Sequence, residues 1–209
     1  MADEERDEAH EEAAPPPIDP EVMARRQAAL AHIRQFGDPI LRTRARPVDH
    51  FDAALRDEIE RMGRLMHDSI GVGLAAPQAG VSHRVLVYRT DADSPVQALV
   101  NPEIEWTSRD KEIMEEGCLS LPGVLVEVER PIHVRVRAQD ADGDAVLVEA
   151  SGFEARVIQH EVDHLDGVLI LDRTSRDQRK EAVKALRAAE RAREDAALDG
   201  ALARGDAAA

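Results

Sequence analysis

Apolar residues recur at three- and four-residue steps from Phe51 to Ile70, through Leu55, Ile59, Met62, Leu65 and Met66. That spacing lines one face of a helix, and Asp49 stands where a cap would serve its first turn. Gly71 and Gly73 end it. A weaker helix is predicted from Glu21 toward Gln35, broken by the turn Phe36-Gly37-Asp38-Pro39. Strand-like runs follow at Arg84 to Tyr88, Ala98 to Asn101, Leu125 to Glu129 and Ile132 to Val136, the last alternating apolar residues with His133 and Arg135. Asp140-Ala141-Asp142-Gly143-Asp144 is a hairpin signal, and Val146 to Val148 returns. A helix is expected from Gly152 or Phe153 to Gly167, then a short strand from Val168 to Leu171, then a charged, Ala-rich helix from Ser175 to Glu194.

The pattern divides the chain into residues 1–22, an acidic, Pro-rich extension that buries too little to order; 23–174, the folded domain; 175–197, a charged helix; and 198–209, a flexible tail. A length of 209 residues suits one domain with tails. Aromatic residues make up only 2%, so the core must be built from Val, Leu, Ile, Ala and Met. The net charge of -15 disfavours binding to nucleic-acid backbones over the whole surface. No apolar run is long enough to span a bilayer, and Met-Ala-Asp-Glu-Glu resembles neither a secretory signal nor a transit peptide, so a cytoplasmic protein is expected. A single cysteine excludes an internal disulfide, fits a reducing compartment and leaves one thiol free.

The chemistry concentrates in Gln159-His160-Glu161-Val162-Asp163-His164. On a helix His160 and His164 lie one turn apart on the same face and can offer two imidazoles to one metal ion. Glu161 sits about 100° further round, placed to act on a water beside the metal as a general base. A catalytic site of this kind needs a third protein ligand and one open position. Downstream of His164 there is no further histidine and no acid that stands out; upstream lies Cys118, in Glu115-Glu116-Gly117-Cys118-Leu119-Ser120. Cysteine and two histidines make a tetrahedral 2His-1Cys set, although one buried cysteine is by default a small hydrophobe. Gly71 to Gly80 is a third unusual stretch: its glycines permit close backbone approach, and Gln78 is a lone amide in apolar company. Taken alone, it is a tight connector from helix to strand.

The ordered trio GVGLAAPQ (Gly71 to Gln78), EGCLS (Glu116 to Ser120) and QHEVDH (Gln159 to His164) resembles the signature motifs of the peptide deformylases, and the similarity runs from about Phe36 to Thr174. The resemblance implies an α+β fold of mainly antiparallel sheets packed around a central metal-binding HExxH helix, with a C-terminal helix. It implies hydrolysis of the formyl group from N-formylmethionine at the start of nascent polypeptides. Carried over by motif position, Cys118, His160 and His164 hold the metal and Glu161 is the general base and acid. Gln78 and the backbone N–H of Leu119 stabilise the oxyanion, and Gly73 binds the substrate chain through its backbone. Val72, Val157 and Glu116 complete the expected substrate-binding set, with Ile158 a further candidate for the methionine pocket and Glu116 also placed to pair with Arg130. The family implies one Fe(II) per chain, with Zn, Ni or Co as substitutes.

Three features depart from the family pattern or lie outside it. Leu125 replaces a positively charged residue found in many relatives, Arg156 stands where some have an apolar residue, and the acidic extension lies outside the shared core. The C-terminal helix mixes Arg and Lys with acids, which reads as a solvated helix with i,i+4 pairs; a ribosome-docking arm is the alternative that the resemblance raises. Two other functions compete with deformylation. A metalloprotease shares HExxH but gives no reason for EGCLS; a non-catalytic binder of ribosomes or nascent chains gives no reason for the full set of chemical residues.

Overall fold

The computed structural model describes residues 19–91 and 94–205, with the side chains of 194 and 196–205 outside that description. The expectations for the extension up to residue 18 and for the last four residues of the tail lie outside the described residues.

Helix α1 (Pro20–Leu30) starts at Asp19, whose side chain accepts from Glu21 N–H, with Pro20 at the first helical position. It stops short of the expected Gln35, and the chain turns into a 3-10 segment, Pro39–Arg42, capped by Asp38. Helix α2 (Ala53–Asp68) is capped by Asp52 and not by Asp49: the Asp52 carboxylate accepts from Leu55 N–H at 3.1 Å. Phe51 therefore precedes the helix and packs beside Leu55 and Met62 from outside it.

Among the described residues, seven strands form two antiparallel sheets. Strands β1 (Gly73–Ala75), β2 (Val85–Tyr88), β3 (Gln97–Thr107), β6 (His133–Gln139) and β7 (Ala145–Ser151) make a five-stranded sheet in the order β1-β2-β3-β6-β7. Strands β4 (Lys111–Cys118) and β5 (Leu121–Pro131) form a separate ribbon. Two strands escaped the hydrophobic pattern. β1 is three residues buried on both sides, so nothing alternates; β4 exposes most of its length and buries Glu116 in place of an apolar residue.

Helix α3 (Gly152–Leu165) is the centre of the molecule. Every residue from Ala155 to Leu165 except His160 is buried. Ala155, Val157, Ile158, Val162 and Leu165 pack against Leu86, Tyr88, Val134 and Val136 of the large sheet. A helix enclosed on nearly all sides holds its polar side chains in fixed positions, which suits a site that must be organised before substrate arrives.

The expected strand from Val168 to Leu171 does not form. Leu169, Ile170 and Leu171 are all buried in succession, and Asp172 closes a 3-10 turn, Ile170–Asp172, by accepting from Leu169 N–H at 2.9 Å. A consecutive buried run looks like a strand in sequence, but here it is a turn wedged into the third core cluster beside Val126 and Val128. Helix α4 (Arg176–Gly205) runs past residue 197 and anchors its first half through Ala182 and Leu186 in the same cluster. Among the described residues no helix is long and apolar enough to cross a membrane.

Candidate metal centre

The two histidines of α3 stand one turn apart, with ring centroids separated by 5.0 Å and planes inclined at 68°. The thiol arrives from the end of β4. Register in the ribbon is regular from Lys111↔Pro131 to Gly117↔Leu125, then jumps so that Cys118 faces Leu121. Such an irregularity turns a strand and re-aims its side chain, and Cys118 Sγ comes to 3.2 Å from His164 Nε2. One donor atom from each of Cys118, His160 and His164 lies within 4.8 Å of the others.

The donor set fits a small divalent cation. Bonds of about 2.3 Å to sulfur and about 2.0 Å to nitrogen at a tetrahedral angle place the two donors about 3.5 Å apart, close to the separation found. His160 turns its Nδ1 to Glu116 Oε2 at 3.0 Å, which leaves Nε2 as its free donor. Fixing the second ring nitrogen on a carboxylate is how ligating histidines are held in tautomer and orientation. His164 Nδ1 and Glu161 Oε2 are buried and have no hydrogen-bond partner among the described residues. Burial, reinforced by the charges of His160 and Arg130, pushes His164 well below the usual imidazole range, so it stays in the neutral form that ligates. His160 shifts the other way: burial disfavours its cation, but the acceptors Cys118 and Glu116 outweigh it.

Glu161 is buried next to the cluster, and burial pushes its carboxyl up to about 7 against the pull of His160 and Arg130. Its space exists because residue 73 is glycine. A Cβ at Gly73 would lie 2.9 Å from the Glu161 carboxyl carbon and closer still to Oε1. Gln78 sits in a 3-10 turn, Ala76–Ala79, after β1. Its Oε1 accepts from Ala75 N–H at 2.8 Å, which fixes which end of the amide faces the site. Its Nε2 then donates to Ser120 Oγ at 3.3 Å and reaches Cys118 Sγ at 3.7 Å. The carboxamide is thus oriented with its donor end toward the sulfur. Leu119 follows the cysteine directly, and its carbonyl accepts from Gln35 Nε2 at 3.3 Å.

Glu116, expected both among the substrate contacts and as a partner of Arg130, lies inside the protein. It is 6% exposed, and both of its oxygens are engaged. Arg130 holds them in a two-pronged contact, Nε to Oε1 at 2.6 Å and Nη2 to Oε2 at 2.9 Å. Arg156 adds Nη1 to Oε1 at 2.7 Å, and His160 takes the remaining approach. Burial alone would raise this carboxyl, but hydrogen bonds from His160 and Arg130, with the charge of Arg130, hold it at about 2. No lone pair is left for a ligand to reach. Of the other expected substrate contacts, Val72 is 40% exposed beside Gly73, whereas Val157 is 6% exposed and Ile158 wholly buried in the main core. Val157 lies on the histidine face one turn before His160, so it offers a narrow apolar edge and no open surface.

Several residues at the site were given no role there by sequence, Arg156 having been noted only as a departure from the family pattern. Asp163, inside the helix motif, accepts from Arg130 Nη1 at 2.9 Å and from Arg173 Nη2 at 2.5 Å. Arg156 is spent on Glu116 and on the carbonyls of Val128 and Glu112, which explains how an arginine sits on a buried helix face. Ser120 had been quoted only as part of a motif. The signal available for this network was the presence of Arg156 and Asp163 between the apolar residues of one helix, with Arg130 and Arg173 elsewhere in the chain to answer the acids.

An α+β scaffold that brings one thiol and the two imidazoles of an HExxH helix around a cation-sized gap, with a buried glutamate alongside, is that of a mononuclear metallohydrolase. The family model for polypeptide deformylase matches residues 30–180. The chain is 52% identical over 144 residues to a peptide deformylase of Thermotoga neapolitana, covering 69% of this chain and 87% of that one. It is 47% identical over 162 residues to one of Parafrankia sp., covering 78% and 88%. The crystal structure of a peptide deformylase from Legionella pneumophila superposes with a TM-score of 0.73 at 39% identity, over 78% of this chain and 96% of that one. The chain belongs to the polypeptide deformylase family.

Replacing Arg130 by Met removes the guanidinium shared by the Glu116 and Asp163 carboxylates and leaves them only Arg156, His160 and Arg173. Removing one partner from a buried ion pair costs about 3–5 kcal/mol, and urea unfolding of Arg130→Met is expected to show a loss of up to that size.

Proposed function

We propose that this chain removes the formyl group from N-formylmethionine at the amino terminus of newly made polypeptides, releasing formate. The observation that carries the reading is the meeting of Cys118, His160 and His164 beside a buried Glu161 and an oriented Gln78 amide. Hydrolysis of a formamide needs an activated water, a proton carrier and donors for the oxygen that gains charge; these residues supply each in one place.

When bound, a divalent cation supplies Lewis acidity, which makes a water nucleophilic near neutral pH and polarises a carbonyl. Cys118, His160 and His164 hold it, the thiol as thiolate. Glu161 takes a proton from the attacking water and delivers it to the departing amine as the formamide C–N bond breaks. The water oxygen stays with the formyl carbon as formate. Gln78 Nε2 and the N–H of Leu119 donate to the formyl oxygen as negative charge gathers there. Gly73 admits the substrate backbone beside Glu161. Val72 and Phe153, 40% and 49% exposed, leave apolar surface for the methionine side chain.

The reading extends to Fe(II) as the native metal, with Zn, Ni or Co able to substitute, since thiolate and imidazole suit all four. It places the enzyme in the cytoplasm with formylated nascent chains as substrate. The mixed charge along α4 allows a ribosome contact through that helix. The metalloprotease reading has less support: the third ligand is a cysteine from a β ribbon, and among the described residues no Glu or His from beyond the helix joins the cluster.

Anaerobic purification, elemental analysis and a formate-release assay on formyl-Met-Ala-Ser test metal and reaction together. One metal ion per chain with stoichiometric formate is expected; cleavage of an internal peptide bond without formate favours a protease, and metal-replete, inert protein favours a non-catalytic binder. Gln78→Ala is expected to lower kcat about 10²–10³-fold, the usual loss for one oxyanion donor, with metal content unchanged by elemental analysis. Gly73→Ala pushes the new methyl into the Glu161 carboxylate. Turnover is expected to fall at least about tenfold with metal retained, a displacement of about 1 Å of a reacting group being enough for losses of that order or more.

A further inference from the structure

The segment after α1 has no regular structure at Arg34 and Gln35, yet Arg34, Gln35 and Phe36 in turn each hold one carbonyl of the candidate site. Arg34 N–H donates to the carbonyl of Gln78 at 2.7 Å. Gln35 Nε2 donates to the carbonyl of Leu119 at 3.3 Å and to that of Ile33 at 3.1 Å. Phe36 N–H donates to the carbonyl of Ser120 at 2.9 Å. Packing fixes both ends of the tripeptide. Ile33 is buried in the core cluster that includes Leu74 and Ala76, and Phe36 packs against the cluster that includes Leu121 and Val124. Segment 34–36 thus ties the core beneath the Gln78 turn to the core beneath the cysteine ribbon.

The turn that follows the cysteine has need of this tie. Leu119 and Ser120 join Cys118 to its pairing partner Leu121. A two-residue hairpin turn ordinarily matches the twist of its strands through positive φ at one or both of its residues, and neither Leu119 nor Ser120 has one. Their carbonyls are instead held from outside the ribbon. The Gln35 amide is committed to this contact. Two carbonyls at Nε2 fix which end of the amide faces them, and Oε1 is left buried with no hydrogen-bond partner among the described residues. A buried polar atom without a partner is a cost that asks for a reason.

We propose that Gln35 is a positioning residue for the oxyanion donors: it locks the Leu119 carbonyl, and with it the direction of the Leu119 N–H, in register with the Gln78 amide whose main chain Arg34 secures. The proposal rests on the deformylase reading, in which these two donors meet the formyl oxygen. Gln35 touches no reacting atom and acts through Leu119. Because charge gathers on that oxygen only as the transition state forms, loosening the donors slows turnover and leaves substrate binding intact.

Gln35→Met keeps the length and apolar stem of the side chain and removes the donor. With formyl-Met-Ala-Ser, kcat is expected to fall at least about tenfold, short of the about 10²–10³-fold for outright loss of a donor, while KM and metal content stay unchanged. In the zinc-loaded, ¹⁵N-labelled holoenzyme the Leu119 and Ser120 amide resonances are expected to shift or broaden, with Val134 and Val136 of the large sheet unmoved. Gln35→Ala is expected to give the same split between kcat and KM, and it carries the test if the methionine variant does not fold. An unchanged kcat, a raised KM in place of a lowered kcat, or unmoved Leu119 and Ser120 resonances overturns the positioning role. Loss of fold or metal in both variants overturns it as well, since the contact is then structural. Absence of formate release by the unaltered protein is a separate failure, which removes the deformylase reading and this role with it.

Discussion

The carboxylate of Glu116 is the tie between the β4–β5 ribbon and helix α3. It is contributed by an edge ribbon, yet it accepts from Arg130 of the neighbouring strand, from Arg156 of α3 and from His160, a residue that faces the metal position. Asp163, one turn along the same helix, draws on Arg130 and Arg173. Two acids and the buried guanidinium groups of Arg130 and Arg156 interlock in a region of low dielectric, where each is tolerable only because the others are present, and the half-exposed Arg173 closes the network at the surface. A packed apolar layer at this position would hold the helix about as firmly. It would not dictate which nitrogen of His160 carries the proton, and that is the property a ligating imidazole needs.

This arrangement explains why the candidate centre could be read from the chain more completely than the fold around it. His160, Glu161 and His164 follow from helical spacing alone, and the helix that carries them is where the pattern put it. Cys118 was legible because no other cysteine competes. What held it in place was not legible: β4 has no alternation, since it lies at an edge and faces solvent along most of its length, and its one buried side chain is an acid. Glu116 therefore looked like a group available to substrate when it is committed to the interior. Arg156 looked like a departure and is part of the same lattice of charges.

The errors at element boundaries have similar local origins. Asp49 and Asp52 are both capping residues by type, and only the reach from Asp52 to Leu55 N–H decides between them. Leu169 to Leu171 form a buried run that resembles a strand, but Asp172 folds it into a turn. Segment β1 was hidden in a motif rich in small residues; its pairing with Val87 and Tyr88 becomes evident only once the sheet exists. Hydrophobic periodicity reports which faces are covered, and it is silent wherever a segment is covered on both sides or on neither.

The shift in pairing between Gly117 and Cys118 has an evolutionary corollary. The sulfur reaches the helix only because the ribbon slips at that step, so the number of residues between Cys118 and Arg130 is coupled to the position of the thiol and to the pairing of Glu116 alike. An insertion or deletion there would rotate both side chains to the opposite surface of the ribbon at once. The connection therefore has fixed length for reasons of geometry.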